Sequence, residues 1–153
     1  MSIFLPINRI DSETIVSFDE LLIIFKDSVA VERMAVIQIS AALKKAGHEV
    51  QMWIASVNEL SELHKIMREF VPDILGYSAM TGEHIPLVAL NNELRSQYDF
   101  YTVFGGPHAT FCKDFIEEDG VDAICIGEGD VVFPEFCKRM EAGGEFWKTP
   151  TFY

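Results

Sequence analysis

From Leu21 to Ile126 the chain alternates short runs of apolar, often β-branched residues with segments of helical period, and no other feature restricts its fold so sharply. Strands alternating with helices at this spacing call for a parallel sheet built from βαβ units. The strands are expected at Glu20 to Phe25, His48 to Ala55, Ile74 to Met80, Phe100 to Phe104 and Asp122 to Ile126. Helices are expected from about Val31 to Ala46, from the Ser56-Val57-Asn58-Glu59 capping box onward, from Thr81-Gly82-Glu83 to about Gln97, around Thr110 to Asp119, and from about Val131 to Ala142.

Local chemistry supports the element ends. Lys44 and Lys45 suit the last turn of the first helix, and Gly47 can take a left-handed cap. Val71-Pro72-Asp73 stops the second helix, because a residue before proline disfavours helical backbone. Pro86 falls near the start of the third helix, where a missing N–H costs little. With right-handed crossovers, and by analogy with flavodoxin-like sheets, the expectation is a flavodoxin-like, Rossmann-like doubly wound α/β sheet of five parallel strands, order 2-1-3-4-5, with helices on both faces. In the first helix, Met34, Val36, Ile37, Ile39 and Leu43 wrap most of the circumference, so it is either sandwiched in the core or covered by another domain. Residues 1–19 are read as an N-terminal arm or edge strand, with Ile15 to Phe18 one strand candidate and Met1 to Ile10 an arm that packs elsewhere.

A length of 153 residues suits one domain, which can bury about 70% of its unfolded surface. A formal charge of −12 opposes binding to phosphate backbones and anionic lipid surfaces, so nucleic acid is not expected as a partner. The longest apolar run, Leu21 to Phe25, stops at Lys26-Asp27, so no membrane span is expected. The N-terminus has no basic flank or small-residue cleavage site, which points to the cytoplasm. Cys112, Cys125 and Cys137 form no C-x-x-C knuckle and read as buried, reduced thiols, with no metal ligand set.

The loops after the strands restrict the ligand. Ligands of such sheets bind at the carboxyl ends of the strands, and here Val103-Phe104-Gly105-Gly106-Pro107-His108 and Ile126-Gly127-Glu128-Gly129-Asp130 both end strands in glycine. A dinucleotide site needs G-x-G-x-x-G after the first strand, but that loop is Lys26-Asp27-Ser28-Val29-Ala30. With Ser28 as its only hydroxyl it also lacks the donors of a flavin-phosphate loop. A response-regulator receiver would need acidic residues after the first strand, an Asp after the third and a Lys after the fifth, and this chain lacks that set. What remains is a broad, weakly charged surface suited to a large, mostly neutral ligand.

Ser78-Ala79-Met80, then the 24 residues 81 to 104, then Gly105-Gly106 resembles the serine and glycine-glycine motifs of cobalamin-binding domains. Together with Lys44 to Val50 and Val121 to Asp130, these segments are similar in particular to the N-terminal cobalamin (B12)-binding domain of cobalamin-dependent radical SAM proteins. The resemblance implies that residues 20–143 are a cobalamin-binding-like domain, in which a dimethylbenzimidazole tail inserts beside the fourth and fifth strands. It implies that residues 144–153 begin a linker toward a radical SAM domain absent from this chain. That domain would hold S-adenosylmethionine and a [4Fe–4S] cluster, for which the three cysteines here lack the C-x-x-x-C-x-x-C spacing. The chain alone is therefore not expected to be catalytic. It reads as the module that holds cobalamin for a methyltransferase or cyclase-like enzyme. The alternative is a cofactor-free flavodoxin-like scaffold or interaction domain.

The histidine that ligates cobalt from below in some relatives is missing, since Val29 stands at its place after Asp27. The resemblance thus gives cofactor contacts at Ser28, Ser78, Met80, Thr81, Gly82, Gly105, Gly106, Pro107, His108, Gly127, Glu128 and Gly129, with no lower ligand from the first loop. His108 is open between reaching the corrin and bonding its own loop. His84 reads as a surface residue, His48 and His64 as structural, and Asp130 as a helix cap, jointly or not with Glu128.

Overall fold

The computed structural model describes residues 3–6, 19–26, 30–55 and 58–142, with residues 3–6 and 30–33 described by their backbone alone. In chain order the elements are β1 (Ile3–Pro6), β2 (Glu20–Phe25), α1 (Ala30–Lys45), β3 (Glu49–Ile54), α2 (Leu60–Glu69), β4 (Ile74–Ser78) and α3 (His84–Arg95). Then come β5 (Tyr101–Gly105), α4 (Pro107–Phe111), a 3-10 helix (Lys113–Glu117), β6 (Ala123–Ile126) and α5 (Gly129–Glu141).

The sheet runs β1-β6-β5-β4-β2-β3. Strands β2 to β6 are parallel and stand in the expected order 2-1-3-4-5. Strand β1 adds a sixth, antiparallel member against β6, with Ile3 opposite Ile126 and Pro6 opposite Ala123. The outer position tolerates Pro6, whose missing N–H would break a central ladder. The other edge-strand candidate, Ile15 to Phe18, and the expectation for residues 144–153 lie outside the described residues.

Strand period 2 divides the apolar residues between two cores. Leu21, Ile23 and Phe25 face one layer with Val36 of α1 and Phe133 and Phe136 of α5. Leu22 and Ile24 face the other with Leu63 of α2, Leu87 of α3 and Phe104. Both cores are closed by side chains with no exposure, and truncating Phe104 or Phe136 to alanine would cost about 3–5 kcal/mol. The order reversal between β2 and β4 leaves a crevice at their carboxyl ends.

Several element ends differ from expectation for local reasons. The helix expected at Thr110 begins at Pro107, because Gly106 turns the chain with φ +91° and Pro107 suits a first helical turn. Strand β4 stops at Ser78, since Ala79 uses its N–H on the Gly105 carbonyl and its own carbonyl on the His108 N–H. Helix α2 starts at Leu60 with Glu59 as an N-cap whose carboxylate accepts from the Ser61 hydroxyl and caps no backbone N–H. Asn58 instead accepts the Ile54 N–H and donates to Glu62, while Ser56 and Val57 lie outside the described residues. Gly47 does take the left-handed position after α1, at φ +108°.

Candidate functional site

At the carboxyl ends of β2, β4, β5 and β6, between helices α1 and α5, lies a small cleft of about 90 Å³. Its floor is the α1/α5 face of the sheet. The register aligns Ile23, Gly76 and Val103 in one row, and Phe25, Ser78 and Gly105 in the row nearer the mouth. Two of these six positions are glycine, Gly76 and Gly105.

The glycines do different work. At Gly105 a Cβ would sit 3.6 Å from Cys125 Cβ and 3.8 Å from the Tyr77 carbonyl oxygen, which is ordinary contact. The protein itself therefore accepts a side chain there, and its absence leaves room in the cleft. At Gly106 a Cβ would lie 2.9 Å from both N and O of Ala79, on a backbone at φ +91°. That glycine is demanded by the fold, because no side chain fits between the β5 turn and the β4 loop. At Gly76 a Cβ would come within 3.3 Å of the Phe133 ring, so glycine lets α5 pack down on the sheet. Gly129 similarly admits Ile39 of α1, whose Cδ1 would lie 2.9 Å from a Cβ.

One hydroxyl ties the two glycine loops together. Thr110 Oγ1 donates to the Gly106 carbonyl at 3.0 Å and accepts the Gly127 N–H at 3.1 Å. Gly127, at φ +82°, turns the chain from β6 into α5. The helix then opens with Glu128 as N-cap, but without a side-chain cap bond. Asp130 is not the cap that the sequence suggested: it lies inside the first turn and accepts the Val131 N–H, where its charge still complements the helix dipole.

The floor is electrically quiet. Burial, and then the carboxylates of Asp130 and Glu128, push the Cys125 thiol up to about 12, so it stays protonated at neutral pH. Cys137 is buried in the same core and is raised for the same first reason. Cys112 is exposed at the end of α4, so the buried-thiol reading holds for only two of the three cysteines.

Of the residues expected to touch a cofactor, Ser78, Gly105, Gly106, Gly127, Glu128 and Gly129 line this one cleft. Met80, Thr81 and Gly82 stand on the loop before α3, Pro107 and His108 in the first turn of α4, and none of the five is part of its lining. There Thr81 Oγ1 meets His108 Nδ1 at 3.1 Å, and Gly82 N–H donates to His84 Nδ1 at 3.0 Å. His108 is buried on the α3/α4 side, stacked on His84 with ring centroids 3.6 Å apart and set edge-on to Phe115. Ser28 lies outside the described residues. Sequence reasoning passed over Gly76, Val103, Cys125 and Phe133 as site residues. Gly76 carried a usable signal, a glycine inside the apolar run Ile74 to Tyr77, which marks close approach of another group.

At Gly105 the cleft leaves free the space that a side chain would fill, and apolar side chains lie beneath it. Two comparisons with known proteins bear on the family of the chain. Over 110 residues the chain is 27% identical to a protein of Pyrococcus horikoshii described as an uncharacterized methyltransferase, with 69% of this chain and 24% of that protein covered. The chain thus spans about a quarter of that relative's length. The B12 binding domain matches residues 24–137, a span that runs from the end of β2 into α5 and takes in all six expected residues that line the cleft. Covering well over half of the 153 residues, that match establishes that the chain belongs to the B12-binding domain family.

Proposed function

We propose that this chain is the corrinoid-holding module of a B12-dependent radical SAM enzyme, a methyltransferase or a cyclase-like relative working in the cytoplasm. The observation that carries this reading is Gly105. It is a strand residue with room for a Cβ as far as the protein is concerned, yet bare where the cleft needs space. The nucleotide tail would lie over Gly105, with Ser78 at the mouth and Gly106, Gly127 and Gly129 shaping the walls. Bound there, the cofactor would supply a transferable methyl group. The chain's own residues bind and orient it. Further domains would hold S-adenosylmethionine and a [4Fe–4S] cluster, and the relative's description as a methyltransferase of about four times this span supports that division of labour.

The test is retention. The purified chain, mixed with micromolar hydroxocobalamin and freed of excess by gel filtration, should keep a stoichiometric corrin spectrum. Gly105→Val should lose the spectrum while its thermal midpoint stays within a few degrees of the parent. Cobinamide, which has no nucleotide tail, should be held far more weakly. A folded parent chain that retains no corrinoid would overturn the reading and leave a cofactor-free scaffold in its place.

A further inference from the structure

Among the described residues, the polar side chains of the cleft stand at its mouth. Ser78 and Asp130 are half-buried there, and Gln38 and Glu128 are exposed. The floor consists of Ile23, Val36, Val103 and Phe133, none more than 5% exposed. Main-chain groups beneath it are engaged in the ladders that pair Ile23 with Gly76 and Gly76 with Val103. Among the described residues, Cys125 adds the floor's single side-chain heteroatom, a thiol that hydrogen-bonds only weakly.

We propose that this floor makes the cleft selective for corrinoids with a benzimidazole lower base over those with adenine, an inference that rests on the reading of the cleft as the seat of the nucleotide tail. The two bases are both bicyclic and close in size, so shape alone separates them poorly. Each joins its ribose through the five-membered ring, which keeps that ring toward the mouth and sends the six-membered ring down. For dimethylbenzimidazole that leading ring carries only carbon and hydrogen. For adenine it carries two ring nitrogens and an amino group, which would leave water for a floor without partners. Sites discriminate strongly against a ligand whose polar groups are stranded in this way, and the preference expected here is at least roughly tenfold.

Equilibrium dialysis of the purified chain against cobalamin and against the adenine-base corrinoid, both in the hydroxo form, tests this. The expected result is a Kd for cobalamin at least about tenfold lower, with Val103→Thr, which places a hydroxyl on the floor at nearly constant volume, narrowing the ratio several-fold. Equal affinity, or a preference for the adenine form, overturns the selectivity and leaves the tail-binding reading standing. A ratio unmoved by Val103→Thr removes the floor as its cause. Failure to hold either corrinoid overturns both.

Discussion

His108 and His84 lie face to face at 3.6 Å, a separation that two neutral rings accept and two charged rings resist. Burial first, and then the neighbouring His84, hold the His108 imidazole below its ordinary 6.5. The sign follows from linkage: the unfolded chain takes up this proton at a higher pH than the folded one, so stability is full above about pH 6.5 and is lost as pH falls toward the depressed folded value. Urea midpoints should therefore drop between pH 7.5 and 5.5, above the range in which ordinary carboxylates titrate. A His84→Gln variant should show a shallower drop, and the His108 ring resonances should then titrate at higher pH. Equal slopes for parent and variant would remove the stack as the source. Sequence alone offered His108 two roles, because its position after Gly105-Gly106 is compatible with either face of the loop. Burial against Phe115 and the bond to Thr81 place it with α3 and α4.

Elements meet at the glycine loops through Thr110, which bonds both the turn after β5 and the turn after β6. Thr110→Val keeps the shape but leaves the Gly127 N–H without its acceptor. The loss should be about 1–2 kcal/mol, read as roughly tenfold faster amide exchange at Gly127 with little change in the strands. Exchange that speeds up uniformly would mean that Thr110 supports the whole fold and not this junction. The first helix shows what amphipathicity alone leaves open. Its apolar residues wrap most of its surface, and the structure buries Val36 and Leu43 while Met34 and Ile37 are 63% and 56% exposed. Helix α2 ended where Pro72 predicted, but the left-handed turn falls on Val71 at φ +49°, where glycine would be easier. No sequence signal marks a valine for that backbone.

Across the whole molecule, the end of the sheet away from the cleft is locked by a buried polar network. Asp122 accepts from Arg95 and from the Thr102 N–H, and Thr102 donates to Asn91, whose amide reaches the Gly120 carbonyl. The network joins α3, β5 and the approach to β6, so it fixes the register that brings Gly105 alongside Cys125. Asp122→Ala should strand Arg95 and the Thr102 N–H and cost about 3 kcal/mol, seen as a lower urea midpoint at an unchanged slope. A midpoint within experimental error of the parent would show that the network is not a source of stability. No helix among the described residues is long and apolar enough to cross a membrane. From the sequence alone came the α/β class, the five parallel strands and the glycine-ended loops, because alternation of periods 2 and 3.6 and the handedness of crossovers are local or chiral rules, while the strand order came by analogy with flavodoxin-like sheets. Tertiary structure decided what those rules do not reach. It paired Ile3–Pro6 with β6, gathered Gly76, Val103 and Phe133 into one floor, and separated Gly105, whose vacancy faces the cleft, from Gly106, whose vacancy is filled by the Ala79 backbone. Those distinctions depend on distances between residues far apart in the chain, and only packing sets them.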